Sequence, residues 1–235
     1  WLHGASAGDV WALHPTALAL RKARPDACVS ASASTQCGNS MAKKLREDVD
    51  YITYQPNDIS GPVTRAISAI EPDTLILEYT ELWPQLSYAC KRSGSPIFLH
   101  NGRFASTSKG KYKLLFRFMG NLVKPLNKLL LRDEHEAERA RDLGASEDQI
   151  LVTGNTKFDN IGHNLNYEKA DALREAFVID KEDLVWVAGS THDGEEELLL
   201  AVFQKLRREF PKLRMVIAPR YIERTDRIAS LIKKE

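Results

Sequence analysis

Short apolar runs alternate with helical patterns along almost the whole chain, and no other feature restricts its fold as tightly. The strand-like runs are Ala27–Ala33, Tyr51–Tyr54, Thr74–Leu77, Pro96–His100, Leu129–Leu131, Ile150–Val152, Val185–Ala188 and Met215–Ala218. Helical patterns separate them, among them Glu81–Lys91, Glu134–Leu143, Gly194–Glu209 and Glu223–Lys234. Strands joined through helices pair in parallel, and the resulting sheet is covered by helices on both faces. This predicts an α/β protein. Ligands meet such sheets at the carboxyl ends of strands, near the point where strand order reverses. The residues that follow strands are therefore the ones to read for chemistry.

The spacing of the runs predicts two domains. A first series of βα units closes at Gly154–Asp159, giving a domain over 1–159. The polar stretch Asn160–Lys169 lacks periodicity, and a linker is expected over 160–180. Residues 181–235 hold about two further βα units, too few for a second domain of ordinary size. Trp1-Leu2-His3 reads as the tail of a strand, and Lys233-Lys234-Glu235 ends within a helical pattern. Both ends are those expected of a fragment.

Composition excludes several classes. A net charge of +1, with 28% of residues charged, carries no bulk signal for nucleic acid. Cys28, Cys37 and Cys90 form no CxxC pair, which fits a reducing compartment and argues against structural zinc. No metal-ligand cluster is visible, and no apolar run approaches the ~20 residues that span a bilayer.

Four segments behind strands carry candidate chemistry. Trp1-Leu2-His3-Gly4-Ala5-Ser6-Ala7-Gly8-Asp9-Val10 is an apolar run, then a loop of small residues, then a helix start. Small residues allow close backbone approach to a ligand, and a helix N-terminus favours anionic groups. Asp9 is expected either to cap that helix or to present a carboxylate at a cleft. Glu78-Tyr79-Thr80-Glu81-Leu82-Trp83-Pro84 follows the most apolar strand; Glu78 and Glu81 can meet a ligand, or Thr80 or Glu81 can start a helix above a packed Trp83. In Gly189-Ser190-Thr191-His192-Asp193-Gly194, hydroxyls and free N–H groups can hold a phosphate, with His192 beside it. Capping explains the acidic run Glu195–Glu197 but not His192. Arg220, after Ala218-Pro219, suits bidentate contact with phosphate or carboxylate, or is an ordinary surface arginine.

A fifth signal is one of charge. Between residues 103 and 132 stand Arg103, Lys109, Lys111, Lys113, Arg117, Lys124, Lys128 and Arg132, with no acidic residue. Tyr112, Leu114, Leu115, Phe116, Phe118, Leu122 and Val123 interleave with them. An anionic membrane surface attracts such a basic amphipathic stretch, although a solvated helix face is its commoner origin. RNA is the rival partner, but no RNA-binding motif accompanies the run.

Taken in order, HGASAGD, TELWP, NGR, VTGNTKFD, AGSTHDGEE and APR resemble the Kdo transferases. These enzymes move 3-deoxy-D-manno-octulosonic acid (Kdo) from CMP-Kdo to the lipid A precursor of lipopolysaccharide. The resemblance implies a GT-B architecture of two Rossmann-like, doubly wound domains. The acceptor-binding domain would be 1–159 and the nucleotide-sugar domain would begin in 181–235, truncated. It implies inverting, metal-independent transfer without a cofactor, to lipid IVA, at the cytoplasmic face of the bacterial inner membrane, with the membrane anchor outside this stretch. By position, Asp9 falls on the general base, Lys157 on the cation that stabilises the transition state, and Tyr79 on a catalytic carboxylate. Asn155, Ser190, Thr191, His192, Pro219 and Arg220 would bind the donor. Ser6, Gly8, Glu81 and Arg103 would bind the acceptor, the basic 103–132 stretch would meet the anionic membrane, and nucleic acid would not be a partner.

The departures from the family pattern fall mostly in the acceptor half. Asp9 replaces a glutamate, Tyr79 replaces the first glutamate of ETELWP, and Asn101-Gly102-Arg103-Phe104-Ala105-Ser106-Thr107-Ser108 departs from NARLSxRS. After Arg220, Tyr221-Ile222-Glu223-Arg224 stands where HPER is usual. A shift of one residue along a strand turns a side chain to the opposite face, so adjacent Glu78 is not expected to replace the missing carboxylate. These changes imply a retained donor with an altered acceptor. The alternatives are another GT-B enzyme of nucleotide-sugars, such as an epimerase, and a catalytically impaired membrane-associated homologue.

Overall fold

The computed structural model describes residues 1–104, 109–159 and 167–234. The chain divides into two compact units, Trp1–Asn164 and Leu165–Glu235.

The first unit is built on one parallel sheet. Its strands are β1 (Leu2–His3), β2 (Ser30–Ala33), β3 (Tyr51–Tyr54), β4 (Leu75–Glu78), β5 (Ile97–Gly102), β6 (Lys128–Leu131) and β7 (Ile150–Val152). Their spatial order is β3-β2-β1-β4-β5-β6-β7, every pair parallel. The chain winds outward from β1 to β3, then returns to β4 on the other side of β1. Strand order thus reverses between β1 and β4, and a crevice opens beyond their carboxyl ends.

The helices are α1 (Ala7–Ala23), α2 (Gln36–Lys44), α3 (Ser60–Ile70), α4 (Pro84–Ser93), α5 (Lys109–Met119) and α6 (Glu134–Asp142). Leu75, Leu77, Ile97, Leu99, Leu129 and Leu131 alternate along β4, β5 and β6 and are fully buried against α3, α4 and α6 residues such as Val63, Leu86 and Ala137. Leu2, Leu13, Ala17, Val29 and Ala31 form a smaller core around β1, β2 and α1. The edge strands are more open: Tyr51, Tyr54, Leu151 and Val152 are exposed.

The second unit pairs β8 (Leu184–Thr191) with β9 (Leu213–Pro219) in parallel, and carries helices α7 (Tyr167–Ala176), α8 (Glu195–Glu209) and α9 (Thr225–Lys234). Helix α7 corrects the expected linker over 160–180, because 167–176 is regular helix. Its polar composition hid the helix; nearly every described residue of α7 is exposed. Residues 160–166 of that stretch lie outside the described residues.

The 103–132 stretch is also not one surface. Phe104, Leu122, Val123, Leu129 and Leu131 are core residues, and Tyr112 and Phe116 of α5 pack on that core. Among the described residues of the stretch, α5 turns apolar groups outward: Leu114, Leu115, Phe118 and Met119 are exposed, Phe118 by 79%. Lys128 bonds the Asp148 carbonyl and Arg132 pairs with Glu136 at 2.9 Å, so these two charges are used within the fold.

Candidate active site

The loop after β1 enters α1 through a reciprocal cap. Ser6 is the N-cap: its Oγ accepts from the Asp9 N–H at 3.5 Å, and Asp9 Oδ2 accepts from the Ser6 N–H at 2.7 Å. Asp9 is therefore the third helical residue rather than the cap expected above. Two donors at the helix end are satisfied by two side chains, which fixes the carboxylate against the loop. Gly4 makes this possible. A Cβ there would lie 2.9 Å from the backbone and Cβ of Asp9 and from the Val10 nitrogen. The small residue serves packing of the loop on its own helix, whereas Gly8 is open and exposed.

At the end of β4 the chain places one carboxylate inside and one side chain outside. Glu78 is fully buried; Oε2 bonds His100 Nδ1 at 2.6 Å and Oε1 accepts from Asn101 Nδ2 at 2.7 Å. Burial pushes its pKa up, and hydrogen bonds from His100 and Asn101 oppose the rise. The next residue, Tyr79, has a left-handed backbone with φ +53° and is half-buried. Burial, together with the charges of Glu78 and Asp9, raises its phenol further, so it is a neutral hydrogen-bonding group at ordinary pH. Glu81 Oε2 accepts from Trp83 Nε1 at 2.7 Å and lies 3.8 Å from the Nε2 of fully buried His3. Neither Thr80 nor Glu81 caps α4. Trp83 is the cap residue, and Asp58 supplies the acceptors for the Gln85 and Leu86 N–H groups.

The turn after β7 contributes a cation. Asn155 Oδ1 accepts from the Lys157 N–H at 3.0 Å, shaping a single 3-10 turn over Thr156–Phe158. Lys157 is exposed and, among the described residues, has no carboxylate within ion-pair distance.

These pieces enclose a cavity of about 420 Å³ lined by Gly8, Asp9, Tyr79, Thr80, Glu81, Arg103, Tyr112 and Lys157. Six of the residues singled out in the sequence meet here: Asp9, Lys157, Tyr79, Gly8, Glu81 and Arg103. Ser6 and Asn155 stand behind the cavity as caps. Thr80 and Tyr112 complete the lining and carried no separable sequence signal. The lining carries two carboxylates, Asp9 and Glu81, and two cations, Arg103 and Lys157, together with phenol and hydroxyl groups. Such a lining suits a hydroxyl-rich ligand that also bears negative charge.

In the second unit the expected donor residues lie on a loop, apart from that unit's own cavity of about 440 Å³, which is lined by residues such as Phe203, Arg207 and Met215. Ser190 (φ +59°), the penultimate residue of β8, and His192, just beyond the strand, are exposed. Thr191 is buried, and its hydroxyl donates to Glu196 Oε1 at 2.7 Å, so that group is committed internally. Helix α8 starts late, with Gly194 as its cap in the left-handed conformation; no Ser or Thr caps it. Arg224, which the sequence marked only as a departure, organises the loop. It bonds the Thr191 carbonyl at 3.1 Å, both Glu196 oxygens at 2.9 and 2.8 Å, and Asp193 at 3.2 Å. Glu196 is buried, which opposes ionisation, but Arg224 and Thr191 outweigh this and hold its pKa below the ordinary value. Pro219 ends β9, and the Arg220 N–H bonds the Thr191 carbonyl at 3.0 Å, leaving the exposed guanidinium beside the loop.

Among the described residues no group of three His, Cys, Asp or Glu side chains could hold a metal ion, and no helix is long and apolar enough to cross a membrane. A family model described as 3-deoxy-D-manno-octulosonic-acid transferase (kdotransferase) matches residues 1–160. A 3-deoxy-D-manno-octulosonic acid transferase of Haemophilus influenzae is 28% identical over 235 residues, covering 100% of this chain and 55% of the relative. Another, of Chlamydophila psittaci, is 30% identical over 236 residues, covering 100% and 54%. The chain therefore spans about half the length of the curated relatives it matches. Among solved structures, UDP-GlcNAc 2-epimerase of Neisseria meningitidis bound to UDP-GlcNAc shares the fold: TM-score 0.70 at 15% identity, covering 92% of this chain and 64% of that one. The architecture is α/β, Rossmann-like and of the GT-B type. A sheet that reverses between β1 and β4, a cavity at that reversal and a family match over residues 1–160 agree: the chain belongs to the 3-deoxy-D-manno-octulosonic-acid transferase family.

Proposed function

We propose that the protein containing this chain is an inverting glycosyltransferase that moves Kdo from CMP-Kdo to a lipid A precursor such as lipid IVA, without a metal ion. The observation that carries this reading is the cavity in which Asp9, Tyr79, Glu81, Arg103 and Lys157 converge. In a single displacement, the acceptor hydroxyl attacks the sugar carbon as the bond to the cytidine monophosphate breaks. Asp9 takes the proton from that hydroxyl. Lys157 and Arg103 stabilise negative charge as it grows, and cost no reorganisation because their backbone is already set. Tyr79 contributes a neutral hydrogen bond where a carboxylate would add charge, and so selects among acceptors. In the second unit, Ser190, His192, Arg220 and the start of α8 form the phosphate-binding surface for the donor.

Helix α5 is the membrane-facing element in this reading. Its exposed Leu114 and Phe118 stand in a run of basic residues, which suits an anionic bilayer surface at the cytoplasmic face of the inner membrane. The test is transfer by the full-length protein, supplied with CMP-Kdo and lipid IVA in one assay and a UDP-sugar in another. Turnover with CMP-Kdo alone is expected. Turnover of the UDP-sugar instead would place the protein with the epimerase-like enzymes, and binding of CMP without turnover would make it an impaired homologue.

A further inference from the structure

The described site leaves Asn101 unexplained. It is 1% exposed, does not line the cavity, and has a left-handed backbone with φ +49°. The cause lies in the strand pairing. Leu99 aligns with Leu129 and Gly102 with Leu131, so three steps along β5 face two along β6. One residue is extra, and a bulge of this kind re-aims a side chain that regular alternation would send elsewhere. Asn tolerates the left-handed conformation better than other residues with a Cβ. Gly102 must follow, because a Cβ there would strike the Leu131 side chain.

Both polar atoms of the re-aimed carboxamide are engaged. Nδ2 donates to Glu78 Oε1 at 2.7 Å and to Thr156 Oγ1 at 2.9 Å, while Oδ1 accepts from the Thr156 N–H at 3.0 Å. A flipped amide would set oxygen against the Glu78 carboxylate and NH₂ against an N–H, so only one orientation satisfies the partners. The Thr156 hydroxyl then spends its own proton on the Ala12 carbonyl of α1 at 2.8 Å. Asn101 thus ties the turn bearing Lys157 both to the sheet and to the helix whose first turn holds Asp9.

We propose that Asn101 is a positioning residue: through Thr156 it sets Lys157 and Asp9 at a fixed mutual distance across the cavity. This rests on the reading of Asp9 and Lys157 as the reacting pair. Neither group touches Asn101. The coupling runs through backbone, from the bulge to the 3-10 turn on one side and to α1 on the other.

Asn101→Asp keeps the shape and the tolerance for a left-handed backbone, but turns a donor into an acceptor against Glu78. Thr156→Val removes the hydroxyl while retaining the N–H to Asn101, and Thr156→Ser restores the hydroxyl. In the full-length protein, reductive methylation followed by peptide mass spectrometry reads the labelling rate of Lys157 against Lys91 as control. Asn101→Asp and Thr156→Val are expected to change that rate several-fold at Lys157 and not at Lys91, and Thr156→Ser to return it. In transfer assays kcat should fall on the order of a hundredfold for Asn101→Asp with KM little changed, as for a displacement of about 1 Å. On a Lys157→Met background Asn101→Asp should add no further loss, since Asn101 acts by placing Lys157. Unchanged labelling, or an equal loss on both backgrounds, overturns the clamp. A wild-type protein that transfers nothing overturns the functional reading instead, while the labelling result still decides the clamp.

Discussion

The two units solve the same local problem with different physics. Each sets a polar loop between a strand end and a helix start, and in each an acidic residue reaches back to a backbone N–H three residues earlier. In the first unit Asp9 reaches Ser6; in the second Glu195 Oε2 accepts from the His192 N–H at 2.7 Å. The difference is what stands behind the loop. Behind Asp9 lie buried, mostly uncharged hydrogen bonds through His3, Asn101 and Thr156, held by a sheet of parallel strands. Behind His192 lies an ion cluster around Arg224, on a pair of strands. One loop is held by packing, the other by charge. Their responses to mutation, pH and salt should therefore diverge.

The largest expected effect tests the first loop. Asp9→Asn keeps an oxygen to accept from Ser6, so melting of the first unit should scarcely change. Transfer should fall by about 10²–10⁴, the usual worth of a general base. A variant as active as wild type would remove Asp9 from the chemistry.

The second test breaks the charge cluster. Arg224→Ala leaves buried Glu196 without its cation, and thermal melting of the full-length protein should show the second unit unfolding first at pH 7. The sign with pH follows from the lowered Glu196 pKa. Its stabilisation is present above the ordinary carboxylate value and lost as pH falls through the folded one. The gap between wild type and variant should therefore close on acidification, and shrink in high salt. A gap independent of both would mean that Arg224 acts by packing.

Gly4→Ala sharpens the contrast from the other side. The added methyl must displace the start of α1, at a cost of about 1–3 kcal/mol in chemical denaturation, the usual range for overpacking. That cost should be insensitive to salt.

The smallest effect concerns Glu78. Its folded pKa is raised, so its contribution is full below the ordinary carboxylate value and is lost as pH rises through the folded one. Glu78→Gln should accordingly gain stability relative to wild type between mildly acidic and neutral pH. A constant difference would show that His100 keeps the charge fully compensated.

Much of the fold and six of the eight cavity-lining residues could be read from residue order. Apolar runs marked the strands because buried parallel strands need apolar side chains on both faces, as at Leu75–Leu77 and Ile97–Leu99. Small residues and a carboxylate behind β1 marked Asp9 because strand ends meet ligands and helix starts favour negative charge. Helix α7 escaped notice because an exposed helix leaves no apolar stripe. The exact cap at Ser6 was missed because Ser6 and Asp9 hold each other, and either could have been the cap.

What the chain order determined by itself was the parallel α/β class, the position of the motifs after strands, and the family through six motifs in sequence. These depend on local periodicity and residue identity, which the sequence carries. The tertiary structure alone decided which of those residues share a cavity, that Glu78 turns inward while Tyr79 turns outward, and that Arg224 and Asn101 hold the loops in place. Those outcomes depend on strand order, on one extra residue in β5, and on hydrogen bonds between positions as far apart as Ala12 and Thr156. Such contacts form only when the sheet brings distant residues together, so no local pattern announces them.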